Sequence, residues 1–431
     1  MISLWKDQVS FYSATVLGLG ISTGHPLGLI FAAGMPFACL SAETRKGAFR
    51  SALGYYAGAL WPMIAGLEAY WKSEIPLIPL LLWTFTAVLL SMPWTTAWTS
   101  HRVHCLWRAP LALLVTILPP LGIIGLASPL TGAGYLFPRT AWAGLAAVAL
   151  IPGILLAIQG MELLQRCAVR ACVIALCIAL TIGGRLFDSG DAKPPCRWVA
   201  VNTNFRDVSQ PFRDFYAAQF IQQKAAESSA RVLVFPESVI PRWSEATEAF
   251  WSQSLARCRV HGQILIVGAG LPRPTEGNKQ KLHDLRLYDF GATLDTLKRM
   301  DAAPVLAIER SPGPEPTDNA LIVVGAESKT FYQRVPVPIG MWTPFDRNSV
   351  PLRLAAPGVL NVDHQRAAVL ICYEQMLTFP ILTSMLQRPT VIVGISNTFW
   401  VDHTSIPIYQ ASAVRGWAML FRLPYLLAVN S

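Results

Sequence analysis

Two stretches of this chain end in side chains that together could do thiol chemistry. In AAVLICYEQ, residues 367–375, an apolar run closes on Cys372, Tyr373 and Glu374. In RVLVFPES, residues 231–238, another closes on Pro236 and Glu237. A thiol held at the end of a buried strand becomes a nucleophile when a neighbouring base takes its proton, and a carboxylate is such a base. Each residue also has a plainer use. A free cysteine is commonly a small apolar core residue, and a glutamate after a strand is an ordinary cap. A third run, TVIVGISN (390–397), leads into the polar cluster Ser396–Trp400. Strand ends of an α/β sheet converge on a common crevice, so the three runs are expected to meet.

The elements that would position them fill the second half of the chain. Strands are expected over 198–204, 232–235, 263–270, 284–289, 319–324, 367–371, 390–397 and 425–429, with helices over 209–228, 244–258, 375–387 and 407–421. A Pro-rich loop is expected between 302 and 317, and GAGLPRP (268–274) is expected to turn the chain after its strand. Strands alternating with helices indicate an α/β domain. The domain is placed at 198–431, after a polar linker at 185–197.

Residues 1–184 have a different texture. Seven apolar spans are expected, at about 9–24, 26–40, 51–70, 75–94, 111–130, 141–160 and 171–184, against a requirement of roughly 20 apolar residues each. The first two are two short spans or one bent helix, since Gly24, His25 and Pro26 interrupt them. Pro119 and Pro120 fall inside the fifth span, where neighbouring helices would satisfy the freed backbone groups. Alternate loops hold Arg45, Lys46, Arg50, Arg102, Arg108, Arg166 and Arg170, against Lys72 and Arg139 in the others. By the positive-inside rule the richer loops are cytoplasmic, and seven crossings place everything after Gly184 outside. In a bacterium that is the periplasmic face of the inner membrane, with the chain as a multi-pass membrane protein.

Composition agrees. Of 431 residues, 53% are hydrophobic and only 14% charged, where soluble domains carry about a quarter. The net charge of +9 has no basic helix with interleaved aromatics behind it, so direct nucleic-acid binding is not expected. Eight cysteines without CxxC or Cys/His ligand spacing exclude a disulfide scaffold and a zinc site, and no metal or other cofactor is implied. GAGLPRP lacks the glycine spacing of a dinucleotide site.

Four motifs in order resemble the carbon–nitrogen hydrolase (nitrilase) superfamily: FPES at 235–238, YQRVPVP at 332–338, LICYE at 370–374, and SNTFW at 396–400 followed by a helix containing Arg415. With apolar spans in front, the chain is similar to the apolipoprotein N-acyltransferase-like branch, and within it to proteins of plasmid conjugal transfer. The resemblance implies an αββα sandwich and a Glu–Lys–Cys triad that forms a thioester. Glu237 falls on the glutamate and Cys372 on the cysteine. Arg334 falls on the lysine when counted from Tyr332 and is taken as the third catalytic residue beside Cys372 and Glu237; Gln333 falls there when counted back from Pro338. Lys329 would serve only with a shifted strand register. Glu374, Tyr332, Asn397 and Trp400 are the supporting positions. Met341 stands where the acyltransferases carry a further glutamate, and the chain stops at Ser431, where they return to the membrane. The implied function is a cysteine-dependent amidase or N-acyltransferase acting in plasmid conjugal transfer. The alternative is a catalytically degenerate part of the transfer apparatus. Implied partners are the lipid bilayer, an acyl donor or lipoprotein, and other conjugal transfer proteins.

Overall fold

The computed structural model describes residues 2–71, 77–186, 192–205, 213–273 and 316–431. The strand expected over 284–289, nearly all of the Pro-rich loop and Lys72 lie outside the described residues.

The helical half begins with α1 (Ile2–Ser22), α2 (Pro26–Ala32) and α3 (Met35–Leu40). Gly24 reverses the chain with φ +70°, a conformation glycine adopts without strain. The result is a hairpin and not one bent helix. A Cβ on Gly28 would lie 2.0 Å from the Gly20 carbonyl oxygen at the turn. At the other end the Asp7 carboxylate accepts from Glu43 N at 2.8 Å and Thr44 Oγ1 at 2.6 Å. Thr44 in turn caps α4 (Arg45–Leu60), accepting from Gly47 N.

Next come α5 (Pro62–Trp71), α6 (Leu77–Ala97), α7 (Cys105–Ile117), α8 (Ala133–Leu136), α9 (Trp142–Ala157) and α10 (Leu163–Leu186). Three stretches are long and apolar enough to cross a membrane among the described residues: Leu77–Ala97, Trp142–Gly160 and Leu163–Gly184. The first expected span, 9–24, lies almost wholly within the single helix α1, but the remaining ones are not single long helices. Residues 51–70 are divided between α4 and α5 at Trp61, and 26–40 between α2 and α3. The fifth expected span is corrected outright: α7 stops at Ile117. Pro119 removes a donor and holds Leu118 extended at ψ 145°, so the helix cannot continue. Residues 118–132 run instead as short 3-10 turns, with Ile123, Leu126, Ala127 and Leu130 buried in the core.

The second half is built on two sheets. One has the order β1 (Trp198–Ala200), β2 (Val232–Val234), β3 (Ile264–Pro272), β4 (Thr317–Gly325), β5 (Lys329–Tyr332); its first three strands are parallel and its last two antiparallel. The other has β6 (Val359–Val362), β7 (Gln365–Ile371), β8 (Val391–Asn397) and β9 (Tyr425–Asn430), with β7, β8 and β9 parallel. Val234, Ile266 and Val323 of the first sheet share a buried core with Val369, Ile371 and Val393 of the second, so the sheets face each other. Helices α11 (Arg213–Glu227) and α12 (Glu245–Val260) cover the first sheet through Ile221, Trp251 and Leu255. Helices α13 (Thr378–Leu386) and α14 (Ile406–Phe421) cover the second through Ile381, Val414 and Trp417. The order is helix–sheet–sheet–helix. Parallel strands buried on both faces read as unbroken apolar runs, which is why these were visible in the sequence.

GAGLPRP does not turn the chain: β3 continues through Gly268 and Gly270 to Pro272. Gly268 is required for contact, since a Cβ there would lie 2.4 Å from the Pro236 carbonyl oxygen. The helical half and the second sheet share one continuous core. Tyr135 Oη donates to Ser412 O at 2.8 Å, and Tyr373 Oη to Ile123 O at 3.0 Å.

Candidate active site

β7 delivers Cys372 on a turn. The residue has φ +49° and opens a 3-10 turn through Met376. A side-chain-bearing residue in that region costs about 1–3 kcal/mol and persists only where its surroundings fix it. Glu374 does the fixing. Its Oε1 accepts from Arg334 N (2.5 Å) and Val335 N (3.0 Å), and its Oε2 from Ile371 N (3.2 Å). The carboxylate thus ties the strand end before Cys372 to the segment that leaves β5.

Glu237 follows β2 and is buried. Asn319 Nδ2 donates to its Oε1 at 2.6 Å, and the Asn397 backbone N–H donates to its Oε2 at 3.0 Å. The Cys372 thiol completes its hydrogen bonds. Burial pushes the Glu237 carboxyl up, the donors from Cys372, Asn319 and Asn397 pull it part of the way back, and the nearby Glu374 raises it again. Burial, followed by the charge of Glu237 and the hydrogen bond to it, holds the Cys372 thiol well above the ordinary cysteine range. The backbone N–H groups of Asn397 and Tyr373 act on the sulfur in the opposite sense. Burial thus raises both groups of the pair, and proximity to Glu237 raises the thiol further.

Of the two residues open for the lysine position, the geometry brings Gln333 to the site. It is fully buried: its N and Nε2 donate to Asn319 O (3.0 Å) and Ile371 O (3.1 Å), and its Oε1 accepts from Asn319 Nδ2 at 3.0 Å. Arg334 points elsewhere. Its guanidinium, 1% exposed, donates to Val369 O (3.0 Å), Pro380 O (3.0 Å) and Ser384 Oγ (3.1 Å) and faces Glu374 at 3.4 Å. Among the described residues, no arginine or lysine stands with the groups that hold Glu237 or Cys372. Tyr332 is not brought in either: it is 38% exposed, with the Arg353 guanidinium 4.5 Å over its ring. Lys329 is turned to Glu327 and Asn361 O.

Asn397 and Trp400 are at the site, and Trp400 Nε1 donates to Asn397 O at 2.8 Å. Three residues that the sequence did not single out join them. Asn319 bridges Glu237 to Gln333, and Gln410 Nε2 donates to Cys372 O at 3.2 Å. Tyr70 of α5 stacks edge-on with Trp400 at 5.4 Å and donates to Gly340 O. The signal for Asn319 was a lone polar residue opening the apolar run NALIVV; nothing in the sequence marked Tyr70 or Gln410.

Cys372 lines a cavity of about 100 Å³. Its walls are largely apolar, with Met63, Gly66 and Leu67 from α5, Leu126 from the turns after α7, and Val337 and Met376 from the sandwich. The thiol therefore faces a space that both halves of the chain enclose.

No family model matches the chain. In fold class it is similar to solved structures of the nitrilase superfamily. An amidase of Nesterenkonia AN1 aligns at 12% identity and a TM-score of 0.34, over 54% of this chain and 75% of that one. A carbon–nitrogen hydrolase of Helicobacter pylori aligns at 10% and 0.35, over 53% and 71%. That overlap is loose. Full-length similarity is to the conjugal transfer proteins TraB. The chain is 28% identical to the probable TraB of Sinorhizobium fredii, over 99% of this chain and all of the other. It is 27% identical to TraB of Agrobacterium fabrum, over 99% and 93%.

Proposed function

We propose that the protein is a membrane-bound thiol acyltransferase or amidase of nitrilase type acting in plasmid conjugal transfer. The observation that carries this reading is the burial of Cys372 and Glu237 side by side, with Cys372 on the wall of a largely apolar cavity. An acyl donor places its carbonyl carbon against the sulfur. Glu237 takes the thiol proton as the S–C bond forms, and the carbonyl electrons move to oxygen. The backbone N–H of Tyr373, which faces the sulfur, is the donor at hand for that oxyanion, since the Asn397 N–H is held by Glu237. Collapse expels the leaving group, which receives the proton from Glu237 and leaves a thioester. An amine or water then attacks the thioester, Glu237 takes its proton, and the thiol re-forms. The apolar walls favour a fatty acyl group, and the bilayer is the natural source of one.

In this reading residues 1–184 form the membrane domain, 185–197 a linker and 198–431 the carbon–nitrogen hydrolase-like domain. Charge alternation in the loops favours the bacterial inner membrane with the second domain on the periplasmic side. Arg334 serves the fold, and Cys372 and Glu237 carry the chemistry with Asn319, Gln333 and Asn397 around them.

A second reading is supported by Gln333. With the neutral side chains of Asn319 and Gln333 beside Glu237 and no cation there among the described residues, the resting thiolate fraction is small. A nitrilase fold kept as a non-catalytic component of the transfer apparatus would tolerate that. Plasmid transfer frequency separates the two, measured with Cys372→Ser at protein levels equal to wild type. The enzymatic reading expects transfer to collapse; unchanged transfer assigns the protein to the second.

A further inference from the structure

Gln410, early in α14, is a buried amide that the chemistry described above does not use. It is 4% exposed and lies on the wall of the Cys372 cavity. Its Nε2 donates to the Cys372 carbonyl at 3.2 Å, and its Oε1 has no hydrogen-bond partner among the described residues. The nitrogen must be the atom on that carbonyl, because the amide oxygen there would set two acceptors against each other. A buried polar atom left without a partner costs stability, and such costs persist where function needs the group. The helix that carries Gln410 is a firm base. Tyr135 Oη donates to Ser412 O at 2.8 Å, and the Gly416 carbonyl leaves no room for a Cβ on Gly134, so α8 packs backbone to backbone against α14.

The carbonyl that Gln410 grips belongs to the peptide unit joining Cys372 to Tyr373. In a trans peptide the C=O and the N–H lie in one plane and point in opposite directions. Holding the carbonyl toward α14 therefore aims the Tyr373 N–H back at the sulfur, on which it acts. That N–H is the donor left for a developing oxyanion. The Asn397 N–H is committed to Glu237, and no lysine or arginine stands with the pair among the described residues. The 3-10 turn that opens at Cys372 has poorer hydrogen-bond geometry than an α-helix, and Cys372 itself sits at φ +49°. A peptide plane in that setting keeps its orientation only where its surroundings hold it.

We propose that Gln410 is a positioning residue for acyl transfer: by holding the plane of the 372–373 peptide it fixes the Tyr373 N–H as the oxyanion donor. Its hydrogen bond also polarises the peptide, drawing electron density to the carbonyl oxygen and making the opposite N–H a stronger donor. This role rests on the thioester reading of Cys372 and brings α14 into the shaping of its transition state.

Two reactions of the same sulfur, run on the detergent-solubilised full chain, test it. Acylation by p-nitrophenyl octanoate builds charge on a carbonyl oxygen, whereas alkylation by iodoacetamide displaces iodide and builds none there. Both consume thiolate, so the ratio of their rates at one pH cancels a change in thiolate population. Gln410→Met keeps the side chain's length and removes the donor. It should lower the acylation-to-alkylation ratio about tenfold, less than the roughly 10²–10³ lost when an oxyanion donor is itself removed. A merely structural Gln410 would slow both reactions together, and an unchanged ratio overturns the role. Gln410→Glu keeps the shape and donates only while its carboxyl is protonated. Its ratio, relative to wild type, should fall as pH rises, and that trend decides the matter should Gln410→Met melt below wild type; a ratio level with wild type at every pH would again overturn the role. Wild type that is alkylated but takes no acyl group refutes the thioester reading and this role with it. Wild type that is acylated, with Gln410→Met acylated in the same ratio, refutes the role alone.

Discussion

Replacing Arg334 by methionine separates a structural arginine from a catalytic one. The side chain is 1% exposed and donates to two carbonyls and two hydroxyls besides facing Glu374. Its loss leaves Val369 O without the arginine's bond and Glu374 buried without its countercharge. Breaking a buried pair from one side costs about 3–5 kcal/mol. Glu374 keeps three backbone donors, so the lower end applies, about 3 kcal/mol. For a cooperative unit of 150–250 residues each kcal/mol moves the melting midpoint by about 2–4 °C, giving a fall of roughly 6–12 °C. Thermal unfolding of the detergent-solubilised full chain, followed by tryptophan fluorescence, reads it. Adding Glu374→Gln to Arg334→Met should cost less than the sum of the two single changes, since the pair is removed together. A variant that melts with wild type yet no longer forms an acyl-enzyme would refute the reasoning and return Arg334 to the chemistry.

Three further outcomes follow from the site. Cys372 alkylation by iodoacetamide should climb through pH 9 without a plateau, because thiolate is the reacting form and burial beside Glu237 raises the thiol; saturation by pH 8 would contradict this. Gln333→Lys places a cation beside Glu237, favours both anions and moves that curve to lower pH, so that alkylation at neutral pH quickens about tenfold for every pH unit the curve moves. An unmoved curve would mean that position 333 does not face the pair. Gly66→Leu crowds the cavity wall, where a Cβ already meets Ile406 Cδ1 at 3.1 Å. Labelling by a long-chain acyl donor should fall about tenfold, roughly 1.4 kcal/mol, while iodoacetamide still reacts; equal loss of both would point to general misfolding.

The strands that carry Glu237 and Cys372 were legible because each is an apolar run that ends abruptly in polar residues. β6 was not anticipated. Its hairpin to β7 turns on Asp363 and His364, with φ +47° and +62°, a two-residue turn without the Asn-Gly or Asp-Gly that usually announces one. The choice between Gln333 and Arg334 was open by counting, yet alternation held the answer. Phe331 is buried, Tyr332 half out and Gln333 buried, so Gln333 continues the inward face of β5. Arg334 is buried too, behind the strand, which no period-two pattern describes. The helical half was legible as apolar but not as a count of spans. Composition does not show where prolines such as Pro119 stop a helix and send the chain through buried turns.

Everything in the functional account passes through one covalent bond. The full chain in lipid nanodiscs, given an activated long-chain acyl donor and quenched in acid, is digested and the peptide bearing Cys372 is weighed. The account predicts an acyl mass increment on Cys372 that hydroxylamine removes, absent from Cys372→Ser and much reduced in Glu237→Gln. No increment on wild type, or the same increment on Cys372→Ser, would contradict it.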